Sequence, residues 1–281
     1  MNRILMAFFS VVAWVSMTPA VQAGPVQFQY KLSPNQVWIG TMSSQTETTF
    51  MGKRDINRSK SIIEYRISNG PKSGWVSLTA KITSQKPHSG QTGGLMDLSK
   101  LTFFADMHTS GEIRNIRHEG NPMPPPDPSL PAEMKAIYAQ SSDMMAEAYK
   151  NAVFWFPEMP EDGMVPGDEF DVTRKMGMGG GGMGMQSQTV MKQVFTLEEI
   201  ADGLAYFTVK DRSITKTKGM AGGKADTKTA GKGETVFDLG VGMWTDLTIK
   251  SRSKVNMSNI PGMANMSQEV LSITRYEMEQ K

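Results

Sequence analysis

"SGWVSLTAKITS", residues 73 to 84, is the stretch that sets the fold class. Val76, Leu78, Ala80 and Ile82 point one way and Ser77, Thr79 and Lys81 the other, the period of two required of a strand with one buried face. "SIIEYRIS", residues 61 to 68, repeats it through Ile63, Tyr65 and Ile67. Outward from this pair, alternation predicts strands at Val37 to Phe50, Leu101 to Asp106, Glu112 to Arg117, Glu169 to Arg174, Thr189 to Leu197 and Leu204 to Ile214. It continues at Glu234 to Leu239, Trp244 to Val255 and Glu269 to Glu277. Turn signals such as "SNGPKSG", "TSGE" and "ADG" separate them, as in an antiparallel meander.

One segment breaks the pattern. Leu130, Met134, Ile137, Tyr138, Met145 and Ala148 recur at helical spacing, with Ser129 placed as N-cap and Pro131 in the first turn. The spacing predicts one long amphipathic helix from about Pro131 to Asn151, entered through the proline-rich "NPMPPPDPSLP". Strand-rich stretches of similar order flank it at an offset of about 130 residues, which suggests duplication of a β unit. The expected fold is therefore mainly β (α+β): a curved antiparallel sheet or half-barrel from two similar halves, with the long amphipathic helix between them. Residues 24–120 form the first unit, 121–160 the linker and helix, and 161–281 the second unit, all packed as one domain.

The opening "MNRILMAFFSVVAWVSMTPAVQAG" reads as a secretory signal, with Arg3, an apolar run from Ile4 to Met17 and a small-residue cleavage site ending at Ala23. That run is shorter than the ~20 residues a membrane-spanning helix needs, and no later stretch is long and apolar enough to anchor the mature chain. Export without cysteine, hence without disulfides or a lipid-anchored cysteine, points to the periplasm of a bacterial envelope. With 30 basic and 28 acidic residues, the chain carries no net field to steer nucleic acid.

"FFADMHTSGEI" (103–113), "FPEMP" (156–160), "VPGDEF" (165–170), "FTLEEIADGLA" (195–205) and "FDLGVG" (237–242) together resemble a family of exported bacterial proteins of unknown function. The arrangement is also similar to half-barrel carriers of lipoproteins and lipids of the LolA and LppX type. That resemblance implies a curved sheet over a hydrophobic cavity with helical cover.

Sites of chemistry are sparse. "MGMGGGGMGM", residues 176 to 185, offers four thioethers in Met176, Met178, Met183 and Met185, a donor set suited to Cu(I). Its first reading is nonetheless a slack connection between two strands, with soft-metal binding the exception. His108 and His118, with Asp106 and Glu119 nearby, sit on two arms of one hairpin, and His88 lies in a turn; none has the spacing of a zinc-protease motif. No nucleophile elbow, phosphate loop or cysteine nucleophile is present. "KTKGMAGGKADTKTAGKGE", residues 216 to 234, reads as a solvated hairpin tip. "AVFWFPEMP" places Phe154, Trp155 and Phe156 in a row, fit either to fill a core or to line an apolar cavity.

The expected function is a non-catalytic periplasmic binding or carrier protein for a hydrophobic or amphiphilic ligand, without cofactor. Met134, Ile137, Tyr138, Met145, Phe154, Trp155 and Phe156 are its candidate contacts. The alternatives are Cu(I) binding by the methionine tract and a structural envelope module without a small ligand.

Overall fold

Each alternating segment forms a strand, because one apolar face per strand can be buried only if neighbours pair in register. The computed structural model describes residues 24–50, 52–86, 97–179, 186–219, 223–259 and 265–281. The first group of strands is β1 (Val37–Phe50), β2 (Lys53–Asn69), β3 (Trp75–Lys86), β4 (Thr102–His108) and β5 (Ile113–Glu119). Helix α1 (Ala132–Val153) follows. The second group is β6 (Glu169–Gly179), β7 (Gln186–Ala201), β8 (Leu204–Lys218), β9 (Lys224–Asp238), β10 (Met243–Ser258) and β11 (Met266–Gln280).

All eleven belong to one antiparallel sheet in the order β5-β4-β3-β2-β1-β11-β10-β9-β8-β7-β6. Except for β5 and β6, consecutive strands pair, most of them through short connections such as the two-residue turn Asp202-Gly203 between β7 and β8. Both residues there have positive φ (53° and 79°), the conformation that lets a tight turn follow the strand twist. The first and last strands are neighbours at the centre, in register from Trp38 opposite Gln280 to Thr49 opposite Glu269. The outer edges β5 and β6 have no strand partner on their far sides, so the sheet is open. It curls enough for α1 to pack against both edges.

One end of every long strand is packed and the other is not. Trp38, Tyr65, Phe103, Phe195, Phe207, Phe237, Trp244 and Tyr276 all point to the inner face and belong to one core. The segment before β1 crosses this end and seals it: Phe28 meets Phe207 and Phe237 edge-on at 5.6 Å each. The Tyr30 hydroxyl accepts from Trp244 Nε1 at 2.8 Å and donates to the Pro157 carbonyl at 2.9 Å. Beyond the core, β7 to β11 run on as strands whose inner residues are half-buried and whose outer residues are exposed.

The α+β expectation with a long amphipathic helix is corrected: the fold is nearly all β. The sheet buries its inner face against its own aromatic side chains, so no helical layer is required. Helix α1 is short beside the sheet and weakly amphipathic, since charged, serine and alanine residues dilute its apolar positions. Its start differs too. Pro131 stands at the N-cap, while Ser129 bonds to Asp127 Oδ1 through its amide (2.8 Å) and hydroxyl (2.7 Å). Among the described residues no helix is long and apolar enough to cross a membrane.

Residues 216–234 also depart from the hairpin-tip expectation. Most of them form the end of β8 and the greater part of β9, with only 220–222 outside the described residues. Glycine and lysine are poor strand formers alone, but β9 is held on both sides by β8 and β10.

Candidate functional site

The segment after α1 is the most constrained of the predicted contacts. Phe154 and Phe156 are buried, and the backbone around them is clamped from three sides. Tyr65 donates to the Val153 carbonyl at 2.6 Å, Arg174 Nη2 to the Phe156 carbonyl at 3.2 Å, and the Met159 amide to the Ser110 carbonyl at 2.7 Å. Between edges β5 and β6, Ile113, Ile116, Phe154, Phe156, Val172 and Arg174 line a groove of about 310 Å³. The phenylalanines thus close the core at the open seam. Trp155 is half-buried, and its indole donates to Gln193 Oε1 at 3.3 Å.

The helical candidates do not join them. Met134 is 50% exposed and Tyr138 is half-buried. The side chains of Ile137 and Met145 lie outside the described residues, although both positions are within α1. Met176 and Met178 fall in β6, opposite Thr189 and Ser187, so the first part of the methionine-glycine tract is strand. Residues two apart on a strand share a face. Met183 and Met185 lie outside the described residues, as does His88. The register separates the other histidines: His118 stands opposite Phe103, five positions from His108, or about 17 Å along the strand. Among the described residues no three His, Asp or Glu side chains converge as a metal site.

The sequence reading did not single out Asp211. It sits on β8 in the inward series Val209, Asp211, Ser213, where the core gives way to the unpacked part of the inner face. It is 9% exposed; Gln193 hydrogen-bonds to its carboxyl, and Oδ1 has no partner. Burial holds this carboxyl above the usual carboxylate range, and the Gln193 hydrogen bond offsets the effect only in part. Trp155, Gln193 and Asp211 therefore form a polar chain leading from the core into the inner face.

Beyond Asp211 the inner face is lined by short side chains. Hydroxyls pair between adjacent strands: Ser251 with Ser272 (2.7 Å), Thr229 with Ser253 (2.8 Å) and Thr189 with Thr215 (2.8 Å). Gly231 and Gly233 of β9 lie among them, opposite Ser251 and Ile249. A Cβ at Gly233 would run into the Thr248 carbonyl and stand 2.8 Å from Ile249 Cγ1, so glycine permits the close approach of β9 and β10. Small, half-buried residues thus line the inner face beyond the core, with Asp211 at the boundary between the two. An aspartate at a core-parity position in "YFTVKDRSI" was the available signal.

Neither a family model nor a curated protein matches the chain. Among solved structures, it is similar to one described as lipid–protein interactions in lipovitellin, at 9% identity and a TM-score of 0.41. That alignment covers 89% of this chain but 25% of the other, so this chain spans about a quarter of that protein's length. The Ail attachment invasion locus protein of Yersinia pestis aligns at 6% identity over 88% of this chain and all of its own, with a TM-score of 0.19. A mutant porin of Rh. blastica aligns at 9% over 86% and 100%, with a TM-score of 0.29. The common ground is a β-rich fold.

Proposed function

We propose that the protein is a non-catalytic binding or carrier protein of the periplasm, taking a hydrophobic or amphiphilic ligand onto the inner face of its sheet. This is the use that the resemblance to LolA- and LppX-type carriers implies. The observation that carries the reading is the continuation of the inner face past the core. Ser251, Ser272, Val255 and Val270 are half-buried there, while the buried Asp211 Oδ1 lacks a donor. An amphiphile fits both features, its aliphatic part along the small side chains and a hydroxyl or amine donating to Asp211, which would relieve a desolvated acceptor. The phenylalanines of "FWF" then act as the closed end of the site. Export, on which the compartment depends, rests on residues 1–23.

Native mass spectrometry of the mature protein, purified from its own cell envelope without detergent, tests the reading. The expected spectrum carries a mass excess fitting a lipid or similar amphiphile, and Ser251→Trp, which sets a bulky ring among the small side chains of that face, removes it. A bare wild-type mass, or an excess that persists in S251W, would overturn the proposal.

A further inference from the structure

The near-neutral total charge conceals a segregation. Residues of β8, β9 and β10 opposite in parity to the core make three successive rows on the outer face: Lys210-Lys232-Lys250, Arg212-Ala230-Arg252 and Ile214-Lys228-Lys254. Seven of these nine positions are Lys or Arg and none is acidic, so the patch has one sign. All nine are exposed. Lys192 of β7 extends the middle row opposite Arg212.

Carboxylates reach only its margins. Glu169 lies 3.6 Å from Lys210, Asp171 3.2 Å from Lys192, and Glu269 3.1 Å from Arg252. Arg212, Lys228, Lys232, Lys250 and Lys254 have no ion-pair partner among the described residues. Like charges directly opposite on neighbouring strands destabilise a sheet, so this array is costly until an anion covers it. Beside the first two rows runs a groove of about 780 Å³ that reaches Leu271 and Ile273 of β11 and Gln45 and Glu47 of β1, where Glu47 is paired with Arg54.

We propose that this face docks on an anionic bilayer surface. Charge complementarity demands a polyanionic partner, and the aliphatic residues among the cations select which. Ile214 is 49% exposed and stands opposite Val190, itself 44% exposed, and Leu271 is 38% exposed. Long cationic stems reaching outward around branched aliphatics match the headgroup and upper acyl layers of a membrane. No aromatic side chain occupies the three rows, so the patch lacks the stacking platform of a single-stranded nucleic-acid surface. The inference rests on the outer face and is independent of any ligand on the inner one.

Co-sedimentation with vesicles tests it. Wild type should bind phosphatidylglycerol/phosphatidylcholine vesicles, release them as salt rises, and ignore pure phosphatidylcholine. A basic side chain near an anionic surface contributes about five-fold, so K210Q/K232Q/K250Q should bind about 100-fold more weakly. K210R/K232R/K250R should bind as wild type does. Neutralising three exposed cations elsewhere, R66Q/R114Q/R117Q, should cost less than a tenth of that loss. The proposal is overturned if wild type stays in the supernatant with the anionic vesicles or if K210Q/K232Q/K250Q binds undiminished. It also fails if K210Q/K232Q/K250Q and R66Q/R114Q/R117Q lose equally, or if the wild type is retained by inorganic polyphosphate but not by vesicles.

Discussion

Asp211→Asn should make the protein more stable at neutral pH, although it replaces a buried, hydrogen-bonded group. The carboxyl is 9% exposed, accepts from Gln193 and leaves Oδ1 unsatisfied. Its pKa is raised in the folded state, chiefly by desolvation. In the unfolded chain it titrates near the ordinary value of about 3.9. The folded protein therefore binds more protons above that pH, and the group's favourable contribution, complete below about 3.9, is lost as pH rises through the elevated folded value. Asparagine removes the charge whose desolvation raises that pKa, so at pH 7 the variant is expected to be the more stable. For a chain of this size each kcal/mol gained raises Tm by roughly 2–4 °C. Urea unfolding of ligand-free protein, followed by tryptophan fluorescence at pH 7 and at pH 3.5 (about the unfolded pKa), reads the effect. The gap between variant and wild type should be wide at the higher pH and nearly closed at the lower. An Asn variant less stable than wild type at pH 7, or an equal gap at both, would refute the desolvation argument.

Four further outcomes follow from the packing. Gly233→Ala places a Cβ against the Thr248 carbonyl and should cost about 1–3 kcal/mol in urea unfolding, whereas Gly177→Ala, with open space around it, should stay within about 0.5 kcal/mol. Tyr65→Phe removes a buried hydroxyl that donates to the Val153 carbonyl (2.6 Å) and bonds Tyr276 (3.0 Å), and thermal melting should show a loss of about 1–3 kcal/mol. Phe156→Ala should lose about 3–5 kcal/mol by emptying the seam end of the core. Met134→Ala, on an exposed position, should change stability by less than about 0.5 kcal/mol.

Strand identity was legible because alternation is a local signal: every segment picked out by period two lies within or overlaps a strand. Strand length was not. The far parts of β8 and β9 are rich in lysine and glycine and lack apolar alternation, so they read as loop until the partner strands supply their hydrogen bonds. The helix was legible in place but not in role, since its spacing could not reveal that Met134 faces solvent. Asp211 was written into the inward series of β8, yet an acid in an alternating run is ordinarily assigned to the solvated face. The basic rows were invisible for another reason. Lys210, Lys232 and Lys250 are about 20 residues apart in the chain and meet only when the register of three strands is known.

The junction of β1 with β11 has a consequence for how the chain reaches this state. Every other strand pairing joins neighbours in sequence, but here the partners are far apart, as with Trp38 and Gln280, opposite each other although 242 positions apart in the chain. Closing so long a loop costs about 3 kcal/mol more entropy than closing a hairpin of ten residues. Two meanders, β1 to β5 and β6 to β11, can each zip up quickly and then wait on one slow encounter. Until it occurs, β1 and β11 are bare edges of long, regular strands, open to the same strand on another molecule. The yield of refolding should therefore fall as protein concentration rises, with backbone amides of β1 and β11 the last in the sheet to gain protection from hydrogen exchange.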